Sequence, residues 1–211
     1  VFTVSGYATG TNAATYNDVL TTSSSAASNY NITYVNGSLV VAPKTLTITN
    51  PTVSNKVYDS GTTATVSSTG TLSGFIGTQT VTVGSSSATF VGVGNVGTGI
   101  SVTVSYTLAN GANGGLASNY TVSNSTVTAN ITAKALTASM TVAGKTYDST
   151  TTATPTFTIS SGLVNSQTLT ITGTATFGSS NVGVQTATAQ TVSLSNGTGL
   201  AVSYTHLTLP T

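Results

Sequence analysis

The stretch Lys56-Val57-Tyr58-Asp59-Ser60-Gly61-Thr62-Thr63-Ala64-Thr65 returns as Lys145-Thr146-Tyr147-Asp148-Ser149-Thr150-Thr151-Thr152-Ala153-Thr154. No other feature constrains the fold as much. A second pair of landmarks, Lys44-Thr45-Leu46-Thr47 and Lys134-Ala135-Leu136-Thr137, repeats at nearly the same interval, about 90 residues. That interval is too long for one coil of a solenoid and disfavours a continuous β-helix, whereas it suits a small domain. Two of the three aspartates and two of the four lysines lie inside the duplicated motif, so most of the charge in the chain sits at one recurrent place.

Three segments follow from these landmarks. Residues 1–43 read as the end of one module, residues 44–133 as a complete repeat, and residues 134–205 as a second copy that stops short. Residues 206–211 read as an aberrant, non-native tail. Within the first segment Asn31–Val35 and Ser38–Val41 flank Asn36-Gly37, a dipeptide that tolerates the positive φ of a two-residue turn, and a hairpin is expected there. Thr21–Ser28 has no period and reads as a loop.

The repeat opens with clean alternation at Lys44–Ile48, which predicts a strand with Leu46 and Ile48 on one face and Thr on the other. Further strands are predicted at 62–66, 80–83, 88–91, 100–108 and 120–131, rich in Thr, Val and Tyr, whose side chains suit a pleated surface. No useful stretch carries a 3.6-residue apolar period. The expected fold is all-β, an elongated tandem of small antiparallel modules, either sandwiches or β-grasp-like folds.

Composition excludes several functions. Charged residues are 3% of the chain, and Arg, Glu, Trp and Cys are absent. A net charge of +1 leaves no basic footprint for nucleic acid or an anionic membrane, and no apolar run approaches the roughly 20 residues of a membrane-spanning helix. Disulfides and thiolate metal sites are ruled out with cysteine. The chain opens without the basic-then-apolar plan of a secretion signal, and Val1 reads as an internal cut in a longer protein.

Catalysis finds no parts. The one histidine, His206, lies in the tail, and no module holds the pair of carboxylates that acid-base work requires. Gly92-Val93-Gly94-Asn95-Val96-Gly97 matches a dinucleotide fingerprint as a string, but a strand rather than a helix follows it. No enzyme activity and no cofactor are therefore expected. Six Asn-x-Ser/Thr sequons match what chance gives in so Ser/Thr-rich a chain, and the Thr-x-Thr arrays at 45–49 and 168–174 read as solvated strand faces rather than an ordered ligand-binding surface.

The candidate residues are those of the motif: Lys56, Tyr58, Asp59 and Asn95 in the first copy, and Lys145, Tyr147, Asp148 and Asn181 in the second. Their structural reading is an aromatic core plug beside an aspartate that satisfies turn N–H groups. Against it stand a calcium site, for which one aspartate per module is too few, and a Lys–Asn amide crosslink with the aspartate as proton shuttle. That crosslink needs a neutral lysine and a protonated acid.

Lys-x-Tyr-Asp-x-x-Thr-Thr-Ala-Thr, followed by Ala-Thr-Phe and Asn-Val-Gly and closed by Ser-Asn-Tyr at 28–30 and 118–120, resembles the YDG-type repeat domains of large bacterial surface adhesins. Residues 1–43 resemble the end of the related MBG-type module. The glycine of the Tyr-Asp-Gly motif is replaced here by Ser60 and Ser149. The resemblance implies a stalk or spacer segment of a secreted, cell-surface protein that projects a distal binding region. Any host or matrix glycan or protein partner would then be met through that parent adhesin. The alternative is that the repeats themselves bind a glycan or matrix ligand, with avidity, through exposed Tyr and Thr.

Overall fold

A computed structural model describes residues 3–5, 12–17, 21–23, 30–33, 35 and 37–208. Apart from 3-10 turns at Ala117–Asn119 and Ala201–Ser203, the regular elements among the described residues are strands. In chain order these begin with β1 (Thr3–Ser5), β2 (Ala14–Asn17), β3 (Thr21–Ser23), β4 (Ser38–Val41), β5 (Lys44–Thr49), β6 (Thr52–Val53) and β7 (Lys56–Val57). The first repeat continues with β8 (Thr63–Ala64), β9 (Val66–Ser68), β10 (Thr71–Ser73), β11 (Val81–Phe90), β12 (Gly97–Asn110), β13 (Tyr120–Val122) and β14 (Ser125–Thr132). The second supplies β15 (Lys134–Val142), β16 (Thr152–Ala153), β17 (Pro155–Ser161), β18 (Leu169–Phe177), β19 (Ala187–Asn196) and β20 (Tyr204–Thr208).

These strands form two compact units whose limits differ from those of the repeats: Val1–Thr52, Val66–Ser87 and Val104–Thr126 in one, and Val53–Thr65, Ala88–Thr103 and Val127–Thr211 in the other. In the first unit β5 lies between β10 and β13. It pairs antiparallel with β10, Ile48 facing Leu72, and parallel with β13, Lys44 facing Tyr120. The predicted alternation holds: Leu46 is buried and Ile48 half-buried, while Thr45, Thr47 and Thr49 are exposed. Leu46, Val81 and Tyr120 form the core, with Leu72, Phe75 and Leu108 packed around them.

The second unit repeats this plan. β15 lies between β17 and β20, antiparallel to the former and parallel to the latter, with Lys134 facing Tyr204 as Lys44 faces Tyr120. β20 runs to Thr208, so residues 206–208 continue the last strand. A second sheet holds β16, β18 and β19. A third has the order β7-β14-β12-β11-β8, and the residues it gives this unit bury Phe90, Val102, Ala129 and Ile131. Val102 lies on the same strand face as Val104, and Ala129 on the same face as Ile131, as a two-residue period requires.

Several local expectations are corrected. Asn31–Thr33 and Val35 belong to no strand, and Ser38–Val41 pairs instead with Ala14–Asn17, Leu39 facing Tyr16, so the Asn36-Gly37 hairpin does not form in the expected register. Tyr34 and Asn36 themselves lie outside the described residues. Thr21–Ser23, read as part of a loop, is a strand paired with Thr3–Ser5, and 24–28 lie outside the described residues. The strands predicted at 80–83 and 88–91 are one, β11, running through Gly84-Ser85-Ser86-Ser87. That predicted at 120–131 is two, β13 and β14.

Candidate functional site

The Lys-x-Tyr-Asp turn of the first copy is set by a short parallel ladder. Lys56 and Val57 pair with Ile131 and Thr132, and the Tyr58 N–H donates to the Thr132 carbonyl at 2.8 Å. The chain then turns back on itself. Asp59 Oδ1 accepts the Gly61 N–H at 2.8 Å, an Asx-turn, and Ser60 between them has φ +62°. Lys56 Nζ closes the turn, donating to Asp59 Oδ1 and to the Gly61 carbonyl, both at 2.6 Å. It also lies 5.5 Å from the centre of the Phe90 ring. Phe90 is held in turn by its N–H on the Thr62 carbonyl at 2.7 Å.

Asn95 belongs to the loop that leans on this turn. A Cβ at Gly94, φ +72°, would stand 2.5 Å from the Gly61 carbonyl oxygen, so glycine is what lets the two backbones approach. Asn95 is half-buried beside the turn, but its side chain is not a partner of Lys56 or Asp59.

Tyr58 points the other way and is buried, 4% exposed. Its ring meets Tyr204 edge to face at 5.5 Å, and its hydroxyl accepts Gln167 Nε2 at 2.9 Å. Tyr204 donates its hydroxyl proton to Gln167 Oε1 and accepts the Val164 N–H at 3.1 Å. Ser60 Oγ accepts a hydrogen bond from Asn165 Nδ2. Tyr58, a residue of the first repeat, is thus a plug in a socket built by the second. Half of that socket recurs in the first repeat: Tyr120 donates to Gln79 Oε1 at 2.6 Å, accepts the Ile76 N–H at 3.3 Å and meets Phe75 edge to face.

The second copy repeats the turn closely. Lys145 Nζ donates to Asp148 Oδ1 and to the Thr150 carbonyl, each at 2.8 Å, and lies 5.8 Å from the Phe177 ring centre. Asp148 Oδ1 accepts the Thr150 N–H at 2.9 Å, and Ser149 has φ +60°. Phe177 N–H donates to the Thr151 carbonyl at 2.8 Å, as Phe90 does to Thr62. Tyr147 alone departs from the pattern, being 63% exposed where Tyr58 is 4%. It borders a cleft of about 340 Å³ with Lys145, Phe177, Asn181, Val182 and Val184.

Hydrogen bonding and charge fix the protonation of both aspartates. The Lys56 ammonium holds the Asp59 carboxyl below its ordinary value, outweighing the opposing effect of burial, and the Gly61 N–H adds a smaller lowering. Asp148 is lowered from 3.8 to about 2 by Lys145 first and then by the N–H and hydroxyl of Thr150. Both are carboxylates at neutral pH, paired with their lysines. A Lys–Asn crosslink asks for the reverse, a neutral amine and a protonated acid. Among the described residues no three His, Cys, Asp or Glu side chains gather as a metal would require.

Sequence reasoning found the lysines, tyrosines and aspartates of the turn but missed Gln79 and Gln167. The signal was available: all four glutamines in the chain precede a threonine, but Gln79 and Gln167 recur at the same place in each copy, and in each they take the hydroxyl proton of the closing tyrosine.

Comparison with curated proteins and with solved structures finds no match. A family model described as the YDG domain matches residues 42–129 and again 132–210, each span holding one Lys-x-Tyr-Asp turn and its phenylalanine. With two matches that together cover most of its length, the chain belongs to the YDG domain family.

Proposed function

We propose that this chain is a structural repeat segment, a spacer in a secreted or surface-exposed bacterial adhesin, which holds a distal binding region away from the cell. The observation that carries the reading is the use made of the motif. In the first copy the lysine, aspartate and tyrosine of the motif are each engaged within the protein: Lys56 on Asp59 and the Gly61 carbonyl, Asp59 on the Gly61 N–H, Tyr58 on Gln167. A site that works on a ligand keeps some such groups free for it. The first motif instead fastens one repeat to the next, which is the task of a spacer.

The tyrosines favour the same reading over the glycan alternative. Tyr58 and Tyr204 are buried, so their aromatic faces are closed to a sugar, and Tyr106 is half-buried with its hydroxyl enclosed. Tyr147 is the exposed member of the set. Small-angle scattering on the whole chain, with a glycan array on the same sample, tests the proposal. An extended, rigid particle without array signal is the expected result. Saturable binding of one glycan class, lost in Tyr147→Ala, would move the function into the modules.

A further inference from the structure

The two copies of one turn differ in one respect that the turn itself does not explain. Lys145, Asp148, Thr150 and Phe177 reproduce the contacts of Lys56, Asp59, Gly61 and Phe90, yet Tyr58 is buried and Tyr147 is exposed. Around Tyr58 two things are present that Tyr147 lacks among the described residues. One is the parallel strand end Ile131–Thr132, on which Lys56-Val57 pairs; Lys145-Thr146 belongs to no strand. The other is the socket of Gln167 and Tyr204, which belongs to the copy that follows Tyr58.

We propose that Tyr147 and its cleft are a docking site for a further copy of this same module. That copy receives the Tyr147 ring between its own counterparts of Gln167 and Tyr204, as the second copy receives Tyr58. The counterpart of Ile131–Thr132 that leads into it pairs with Lys145-Thr146 and covers the cleft bordered by Asn181, Val182 and Val184. Those two valines are 86% and 105% exposed, an apolar rim suited to burial against protein. The occupant is fixed by observation, because the same chemistry is already seated at the equivalent place one repeat earlier. This inference does not rest on the spacer reading, since a ligand-binding array would need the same joint.

The test extends the full chain with its own sequence. Residues 205–211 are replaced by residues 121–208, so that Tyr204 leads into a second version of β14 and then a further copy carrying its own Gln167 and Tyr204. Tyrosine nitration is read site by site by mass spectrometry. In the 211-residue chain Tyr147 is expected to react and Tyr58 to be protected. In the extended chain Tyr147 should lose its reactivity, while its counterpart in the appended copy reacts in its place. Changing the appended counterpart of Gln167 to Ala should restore modification at Tyr147.

Unchanged reactivity of Tyr147 in the extended chain overturns the proposal, and so does protection that survives the glutamine change. Amide exchange on the extended chain covers the remaining case. If the appended β14 counterpart shows no protection, the joint does not form and the inference fails.

Discussion

Directly after each Lys-x-Tyr-Asp a serine occupies the left-handed region, with φ +62° at Ser60 and +60° at Ser149. A Cβ there meets the following carbonyl and costs about 1–2 kcal/mol, which is the physical reason for glycine in the family's Tyr-Asp-Gly. Ser149 donates its hydroxyl to the Asp148 carbonyl beside it, whereas Ser60 accepts from Asn165. Ser149→Gly gives up only a hydrogen bond to the adjacent carbonyl and is therefore expected to stabilise the protein, by up to about 1 kcal/mol in urea unfolding, and Ser60→Gly to gain less because it gives up a contact with the distant Asn165. Equal gains at both positions would contradict the part assigned to Asn165. The neighbouring carboxylate gives a second prediction. Asp148 has its folded pKa depressed from 3.8 to about 2, so the turn's contribution is complete above 3.8 and disappears as pH falls through about 2. Exchange of the Thr150 amide should accelerate across that window, and a rate with only its ordinary pH dependence would mean that Lys145 and the turn do not hold the carboxylate.

At the scale of elements, Tyr58 and Tyr147 provide a paired experiment within one chain. Tyr58→Ala removes a buried ring and should cost about 3–5 kcal/mol, and Tyr58→Phe about 1–2 kcal/mol, since Gln167 Nε2 loses its acceptor. Tyr147→Ala should stay within about 0.5 kcal/mol in the same denaturant series. The strands explain how far these differences were legible beforehand. Leu46 and Ile48 declare their buried face because alternation with threonine is a local property, and the core followed it. Gly84-Ser85-Ser86-Ser87 conceals its strand because small polar residues read as a break. A Cβ at Gly84 would lie 2.9 Å from that of Ala109, so smallness there answers a neighbour distant in sequence. The Asn36-Gly37 turn was outweighed in the same way, by a partner strand at Ala14–Asn17 that no local preference announces. Lys56 and Asp59 could be singled out by repetition, but the burial of Tyr58 depends on Gln167 and Tyr204, more than a hundred residues further on.

For the whole molecule, the sequence repeat and the compact unit are out of step. The family matches divide the chain between residues 129 and 132, whereas Val53–Thr65 and Ala88–Thr103, both from the first match, belong to the same compact unit as the second. A family copy cut at its own boundaries therefore leaves part of its fold behind. Residues 1–132 keep the Lys56–Asp59 clamp and the Ile131–Thr132 ladder but lose Val164, Asn165, Gln167 and Tyr204. The polar clamp, with Asp59 exposed and Lys56 half-buried, joins residues only three apart and contributes little by itself; the buried aromatic contact is the larger contribution. The truncated chain should thus lose amide protection over Lys56–Gly61 and allow nitration of Tyr58, while the Leu46, Val81 and Tyr120 core, which draws on no residue beyond 132, remains protected. Retained protection at Tyr58 in residues 1–132 would show that the first copy closes its own motif. The unit of stability would then be the sequence repeat, not the set of residues that spans the junction.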